Sequence, residues 1–350
     1  MDLTLFQKPQ LNLARSTPGR MQFVSICALF AVFQSSLSDN WHSLYIALAA
    51  VAGAVGTELL FNFRERYFSI KDGSAVCSAL ILCLFLPNMI NPLFAFLGSI
   101  FAMVIIKHSF GGLGTNWVNP AAGAWLFIRA SWPHAFNRSL EAGHLTQLAA
   151  SLEGGLRDSQ ASPLALLMIN GWSSSPLDIS ISSFLNNTIF TYTGTALPQG
   201  YLALLSPSGP GIIADRGLLF FLLGIVFISA TKCFRFWLPA GFLFIYLLLV
   251  RIFGALSFGG GFWEGDIIFT LLSGGTLAAA FILVSDPATG PKTTSGYAVY
   301  IILAALFTFL FRYPGLDPYG VVTAILLANT LVPLIQKIEN IYYFEKRKRT

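Results

Sequence analysis

What most constrains this chain is the recurrence of apolar segments along nearly its whole length. They fall near 21–37, 41–61, 73–87, 93–107, 119–133, 217–233, 236–256, 266–286, 297–313 and 319–336. A helix of about 20 apolar residues crosses the hydrocarbon core of a bilayer, and a spanning segment must satisfy its backbone hydrogen bonds internally. The reading is therefore an all-α integral membrane protein with about ten transmembrane helices. Composition agrees: 55% of the residues are hydrophobic and only 11% are charged, too few polar side chains to cover a soluble globule of 350 residues. The one long polar interruption runs between Arg129 and Arg216. Three parts follow: residues 1–133 with five spans, 134–216 as a large external loop, and 217–350 with five more spans and a tail.

The net charge of +5 is not the footprint of a nucleic-acid partner. With the N-terminus placed in the cytoplasm, 15 of the 21 Lys and Arg residues fall on that side, among them Lys107, Lys292 and the tail Lys346, Arg347, Lys348, Arg349. This is the charge bias that orients membrane proteins. It puts both termini in the cytoplasm and the 134–216 loop outside. The four cysteines, Cys27, Cys77, Cys83 and Cys233, lie in or beside apolar segments without CxxC spacing, which indicates neither a disulfide framework nor a metal site. No cleavage-like site precedes the first apolar run, so no cleaved signal peptide is expected. Phosphate-cradling and dinucleotide fingerprints are absent, and so is HExxH. Gly259, Gly260 and Gly261 follow no strand and read as a turn between spans.

An internal echo organises the spans. The stretch from Gly73 to Pro87 opens with small residues and closes on proline, and so does the stretch from Ser273 to Pro287, 200 residues later. Asn119-Pro120 and Asp317-Pro318 each precede a small-residue helix, offset by 198. A unit of five spans is odd, so its second copy enters the membrane from the opposite side, giving two inverted five-helix repeats. In such folds, interrupted helices in equivalent positions form polar sites near the midplane. Close helix packing uses the same small residues, so both readings stay open.

Ionisable groups inside spans are costly and mark function. Glu58 lies well inside the second span and Asp286 closes the eighth, which makes them candidates for an ion or proton pathway. Asp72, Asp266 and Asp317 sit at span starts, where a carboxylate ordinarily caps a helix. His42, His108, His134 and His144 are scattered and form no metal cluster.

Several strings resemble the RnfD/NqrB family, and RnfD most. They are Asp72-Gly-Ser-Ala75, Asn119-Pro-Ala-Ala122 with Ser131-Trp-Pro133, Asp286-Pro287 ahead of Pro291, and the run from Asp317 to Asn329 into Val332-Pro333. They occur in the family's order over most of the chain. The resemblance implies one component of an ion-translocating complex that moves Na⁺ or H⁺ while electrons pass between NADH and ferredoxin or quinone. It implies other membrane and peripheral subunits as partners, a bacterial inner membrane as location, and no complete active site in this chain. It also implies covalent FMN, joined by a flavin transferase through a phosphoester to a threonine in a Ser-Gly/Gln-Ala-Thr-Pro-Leu pattern, and a second, non-covalent flavin such as riboflavin in the bundle.

Here the loop reads Asp158-Ser-Gln-Ala-Ser-Pro-Leu-Ala165, and Ser162 stands at the threonine position. Serine still supplies the hydroxyl that the linkage needs. Three outcomes stay open: FMN on Ser162, FMN on another hydroxyl such as Thr195, or no covalent flavin. By itself Ser162 also reads as a helix N-cap ahead of Pro163. Gly274, Gly275 and Thr276 are the expected close approach for a flat second ring. A different class of function shares the composition and the repeats, namely an inverted-repeat channel or transporter for a small solute such as urea. The 134–216 loop with Ser162 is what separates the two, since a channel needs no flavin attachment site.

Overall fold

A computed structural model describes residues 17–65, 72–112, 114, 116, 118–136, 176–188, 201–205, 211–230, 235–258, 260–315, 317 and 319–349. Among them the architecture is helical, with no strand and a single isolated antiparallel bridge between Pro87 and Ile212.

Among the described residues, five helices are long and apolar enough to cross a membrane, over Pro18–Ser38, His42–Phe61, Trp237–Ser257, Thr294–Arg312 and Gly320–Tyr342. Shorter apolar helices cover Ser74–Leu84, Pro92–His108 and Leu218–Phe227. In chain order, α1 is Thr17–Ser38, α2 His42–Glu65, α3 Ser74–Leu84, α4 Pro92–Phe101, α5 Pro120–Ser131 and α6 Pro176–Thr188. They are followed by α7 Ile213–Arg216, α8 Leu218–Ala230, α9 Trp237–Phe253, α10 Ile267–Leu272, α11 Thr276–Ala278, α12 Thr294–Arg312 and α13 Gly320–Arg349. Two π-helical stretches continue α4 through Ala102–His108 and α11 through Ala279–Leu283.

Local chemistry sets the starts. Asn91 and Asn119 cap α4 and α5 with their side-chain oxygens, each followed by proline at the first helical position, where the missing N–H costs nothing. Asp266 caps α10 by accepting from Phe269 N at 2.9 Å, the ordinary capping role read from the sequence. The cap of α3 is Gly73 at φ +66, so Asp72 stands one residue outside it.

The eighth apolar window is no continuous helix. Ser273 is extended, Gly274 and Gly275 are left-handed at φ +67 and +66, and α11 starts only at Thr276. Two glycines in succession supply what other residues reach at a cost of about 1 kcal/mol or more.

One buried apolar cluster runs through both groups of helices, from Ala28 in α1 to Ile335 in α13. Exposed Leu, Ile and Phe side chains such as Leu60, Leu223, Phe244 and Ile338 cover the outside of the long helices, the surface expected against lipid. Helix α8 lies on α1. A Cβ on Gly217 would sit 2.2 Å from the carbonyl oxygen of Ala31, so only glycine permits that approach. At one end of the bundle lie the start of α1, the end of α2 and the start of α3. At the other lie the turn between α1 and α2, the residues after α3 and the residues before α8. These are called the proximal and distal ends.

Candidate functional site

Among the described residues, four groups of polar side chains bear on the sequence-predicted site. At the proximal end the π-helical stretch widens the turn and carries Lys107 and His108 to Glu58 of α2. The Lys107 ammonium donates to both Glu58 carboxylate oxygens at 2.9 Å and to Ser74 Oγ at 2.8 Å. His108 Nε2 lies 3.1 Å from Glu58 Oε2, and its ring stacks on Phe61 at 4.1 Å. Glu58 and Lys107 are 1% and 3% exposed, so the carboxylate is paired inside the bundle and does not reach the interface.

The second group joins the N-terminal and C-terminal helices near the proximal end. Asn119 Nδ2 donates to Asp286 Oδ2 at 2.8 Å, while its own Oδ1 caps α5. Asp286 also accepts from Ala288 N and from Thr289 Oγ1. Further along, Tyr300 donates to Asn329 Oδ1 at 2.7 Å.

The third group holds the helix break. Asp215 accepts from Gly274 N at 2.8 Å and Gly275 N at 2.7 Å. Arg312 donates to Thr276 Oγ1 at 2.6 Å, to the carbonyl of Thr270 at 3.2 Å and to Ser273 Oγ. A Cβ on Gly274 would lie 2.6 Å from the Arg312 guanidinium, and one on Gly275 would lie 3.3 Å from the Phe85 ring. The faces of both glycines are thus taken by this chain's own side chains. The close approach foreseen at Gly274, Gly275 and Thr276 is made by Arg312 and Phe85. No flat ring fits there without displacing them.

The fourth group lies at the distal end. Asn88 pairs through its N–H and its Oδ1 with Gly211 at 2.8 and 2.9 Å, and His42 Nδ1 is 2.7 Å from the Asn88 carbonyl. Asp39 accepts from the N–H and the hydroxyl of Ser43 with Oδ2 alone. Arg216, 2% exposed, follows on the same segment as Gly211. Four buried atoms here have no hydrogen-bond partner: Asp39 Oδ1, Asn88 Nδ2, and Nε and Nη1 of Arg216. Burial lowers the Arg216 pKa, and the charge of Asp39 opposes that shift.

Between these groups the junction of the two sets of helices is filled. Trp125 of α5 donates its indole N–H to the Phe85 carbonyl at 2.9 Å. Phe136 lies edge-on to both Trp125 and Tyr319. Arg129 makes a two-pronged ion pair with Asp317 and covers the rings of Trp125 and Tyr319.

The model of a family described as NQR2, RnfD, RnfE matches residues 4–344. The chain belongs to that family. Within it, the chain is 30% identical over 354 residues to the D component of a Na⁺-translocating ferredoxin:NAD⁺ oxidoreductase complex from Acetobacterium woodii, covering 100% of this chain and 98% of that protein. The D component of a proton-translocating ferredoxin:NAD⁺ oxidoreductase complex from Clostridium ljungdahlii is 30% identical over 352 residues, covering 99% and 97%. The D component of an ion-translocating oxidoreductase complex from Erwinia tasmaniensis is 29% identical over 361 residues, covering 99% and 98%. With several apolar helices and these relatives, this NQR2/RnfD/RnfE family member is a multi-pass membrane protein.

Of the residues singled out in the sequence, Glu58 and Asp286 lie in separate groups near the proximal end, while Gly274, Gly275 and Thr276 form one cluster toward the distal end. Ser162 and Thr195 lie outside the described residues. Sequence reasoning did not find the partners: Lys107 read there as a topology charge, Arg216 only as the end of the polar interruption, Asn329 only as part of a family string, and Asp215 and Arg312 were not singled out. The available signal was an ionisable residue in or beside an apolar run, as Arg312 is at the end of Tyr297 to Phe311.

Proposed function

We propose that this chain is the D component of an ion-translocating electron-transport complex of the bacterial inner membrane. It carries electrons between NADH and ferredoxin or quinone through FMN held by a phosphoester on Ser162. The single observation that carries this reading is similarity along essentially the whole chain to D components of complexes whose names state ion-translocating oxidoreductase activity. Residues 4–344 match the family model, so the 134–216 loop falls within the match. FMN would supply one- and two-electron chemistry, and the protein would supply position and electrostatics. Thr195 is the alternative hydroxyl. The other membrane and peripheral subunits, and a flavin transferase for maturation, are the partners this reading requires.

The finer architecture belongs to the same proposal: ten spans in two inverted halves, with both termini cytoplasmic. Support comes from two sites of similar make, one in each of the stretches that echo each other. In the first half a left-handed Gly73 precedes Ser74, whose hydroxyl meets the buried cation Lys107. In the second, a left-handed Gly275 precedes Thr276, whose hydroxyl meets the buried cation Arg312. The two lie toward opposite ends of the bundle, as inversion requires.

Glu58 and Asp286 are the groups we assign to an ion or proton path. Each is a carboxylate held by neutralising or hydrogen-bonding partners inside apolar surroundings, the environment in which a titratable group responds to a nearby change of charge. The packed junction of Phe85, Trp125, Phe136 and Tyr319 favours a cofactor-carrying bundle over an open path for a solute such as urea. A second flavin, riboflavin, has no site assigned at Gly274, Gly275 and Thr276, because those faces are filled.

The test is expression of the full chain with a flavin transferase. A fluorescent band on a denaturing gel, and a peptide containing Ser162 heavier by FMN minus water, are expected. A dark band from flavin-replete cells sinks the reading and returns the solute channel.

A further inference from the structure

Chain that returns from a loop to the next helix ordinarily runs over the surface, since buried irregular backbone must find partners for its polar groups. The limb that leads into α8 does the opposite. Residues 211–218 are all buried, with Ile213 at 0% and Arg216 at 2% exposure. The N–H groups of Gly211, Ile213, Asp215, Arg216 and Gly217 all have acceptors. Irregular backbone is tolerated in a membrane protein where the protein itself encloses it, so this limb is built into the distal end.

Its ties reach both sets of helices. After α3, Asn88 N donates to the Gly211 carbonyl at 2.8 Å, Ile213 N donates to the Leu86 carbonyl at 3.1 Å, and Gly211 N donates to Asn88 Oδ1 at 2.9 Å. At the helix break Asp215 accepts from Gly274 N and Gly275 N. Gly217 lies against Ala31 of α1 too closely for any side chain. Upstream on the same limb, Tyr201 donates to Asp266 Oδ2 at 2.6 Å, and Gln34 of α1 donates to the Leu205 carbonyl at 3.1 Å while accepting from Phe220 N at 2.8 Å. Beneath the limb the break is itself polar, lined by Ser273, Thr276 and Arg312, and the pair of Asp286 and Asn119 lies toward the proximal end. Ten residues separate Thr276 from Asp286, about 15 Å at helical rise, against a hydrocarbon core of about 30 Å. The apolar part of this route is therefore about half a bilayer thick, and the distal end must close the rest.

We propose that residues 211–217 are a seal across the distal end of the bundle, with Asp215 as its latch, and that the seal keeps protons and Na⁺ from leaking past the helix break. Its purpose rests on the ion-translocating reading above, because a complex that moves an ion against a gradient must not let that ion return passively. Asp215 suits the task by chemistry. One carboxylate serves two adjacent N–H groups that begin a helix inside apolar surroundings, and without it those groups draw water into the break. Asp215 is thus a positioning residue, since it acts on the ion route through the backbone of Gly274 and Gly275.

The experiment uses the full chain in proteoliposomes without any electron donor, loaded with a pH-sensitive dye or a sodium-sensitive dye and given a proton or Na⁺ gradient. Wild-type vesicles are expected to be tight. Asp215→Ala is expected to raise the passive flux of at least one of the two ions about tenfold or more, because water in the break lowers the cost of a charge there. A staple separates an unsealed end from a general loss of packing. Pro87 and Ile212 face each other in the antiparallel bridge as a non-hydrogen-bonded pair, with Cα atoms about 4.5 Å apart, within reach of a disulfide. Adding Pro87→Cys and Ile212→Cys to Asp215→Ala should return the flux to the wild-type level when oxidised, and reduction should restore the leak. If Asp215→Ala does not yield monodisperse protein, Asn88→Leu, which removes the acceptor of Gly211 N, takes its place in the same series. A folded variant as tight as wild type, a leak that the staple leaves unchanged, or wild-type vesicles that leak freely overturns the seal. None of these outcomes touches the fluorescent band on the denaturing gel, which tests the functional reading by itself.

Discussion

Arg129 of α5 and Asp317 ahead of α13 face each other in a two-pronged ion pair, with both N–O distances 2.9 Å. They are 188 residues apart and tie the N-terminal helices to the C-terminal ones. The planar guanidinium also covers Trp125 and Tyr319 at 5.1 and 5.4 Å, so the pair is part of the junction and more than a surface contact.

Because the fork matches a carboxylate in a way that an ammonium does not, Arg129→Lys should behave nearly as badly as Arg129→Ala. The expected loss is about 1–3 kcal/mol, discounted because both side chains are partly exposed. Thermal unfolding followed by size-exclusion chromatography in detergent reads it. A double-mutant cycle with Asp317→Asn should show coupling, and additive effects would contradict the pair.

Lys107→Ala should remove the ammonium that donates to both Glu58 carboxylate oxygens, leaving the buried carboxylate with its weaker contact to His108. Breaking a buried pair on one side costs about 3–5 kcal/mol, so this variant should express poorly. Combining it with Glu58→Gln should recover folded protein. Expression levels and melting temperatures of the three variants check this, and a double variant worse than Lys107→Ala would refute it.

On the reading of Glu58 as part of an ion path, Glu58→Gln should leave flavin content unchanged and depress ion uptake by proteoliposomes holding the whole complex. Uptake equal to wild type would remove Glu58 from the path.

Gly274→Ala and Gly112→Ala separate crowding from backbone strain. Both positions have positive φ, +67 and +96, but an added Cβ meets the Arg312 guanidinium at 2.6 Å in the first and nothing within 4 Å in the second. Gly112→Ala should cost about 1 kcal/mol from the backbone alone, and Gly274→Ala should cost more by releasing Arg312. Equal melting temperatures for the two would show that Arg312 moves freely.

Ser162→Ala should abolish gel fluorescence and Ser162→Thr should keep it, while Thr195→Ala changes nothing. Fluorescence lost only in Thr195→Ala would move the attachment.

The helical membrane architecture was legible because lipid leaves a chain few options. Apolar runs such as 41–61 and 297–313 must be helices, and Asn119-Pro120 or Asp266 announce helix starts through local hydrogen bonds alone. The signature strings, spread over most of the chain, pointed to the family that the comparison then established. Even the weak spot in the eighth window was visible as Ser273-Gly-Gly-Thr276, because two adjacent glycines break helices anywhere.

Only the tertiary structure decided the partners. Lys107 reads in sequence as a cation at a span end, and a π-helical turn rotates it onto Glu58, 49 residues away. Gly274 and Gly275 read as open room, yet Arg312 and Phe85 fill it, and Asp215, 59 residues earlier, takes their N–H groups. Sequence dictates what a residue does to its own few turns of backbone, because those forces are local. Which charge meets which carboxylate is settled by the packing of distant helices, and single-sequence periodicity carries no record of that.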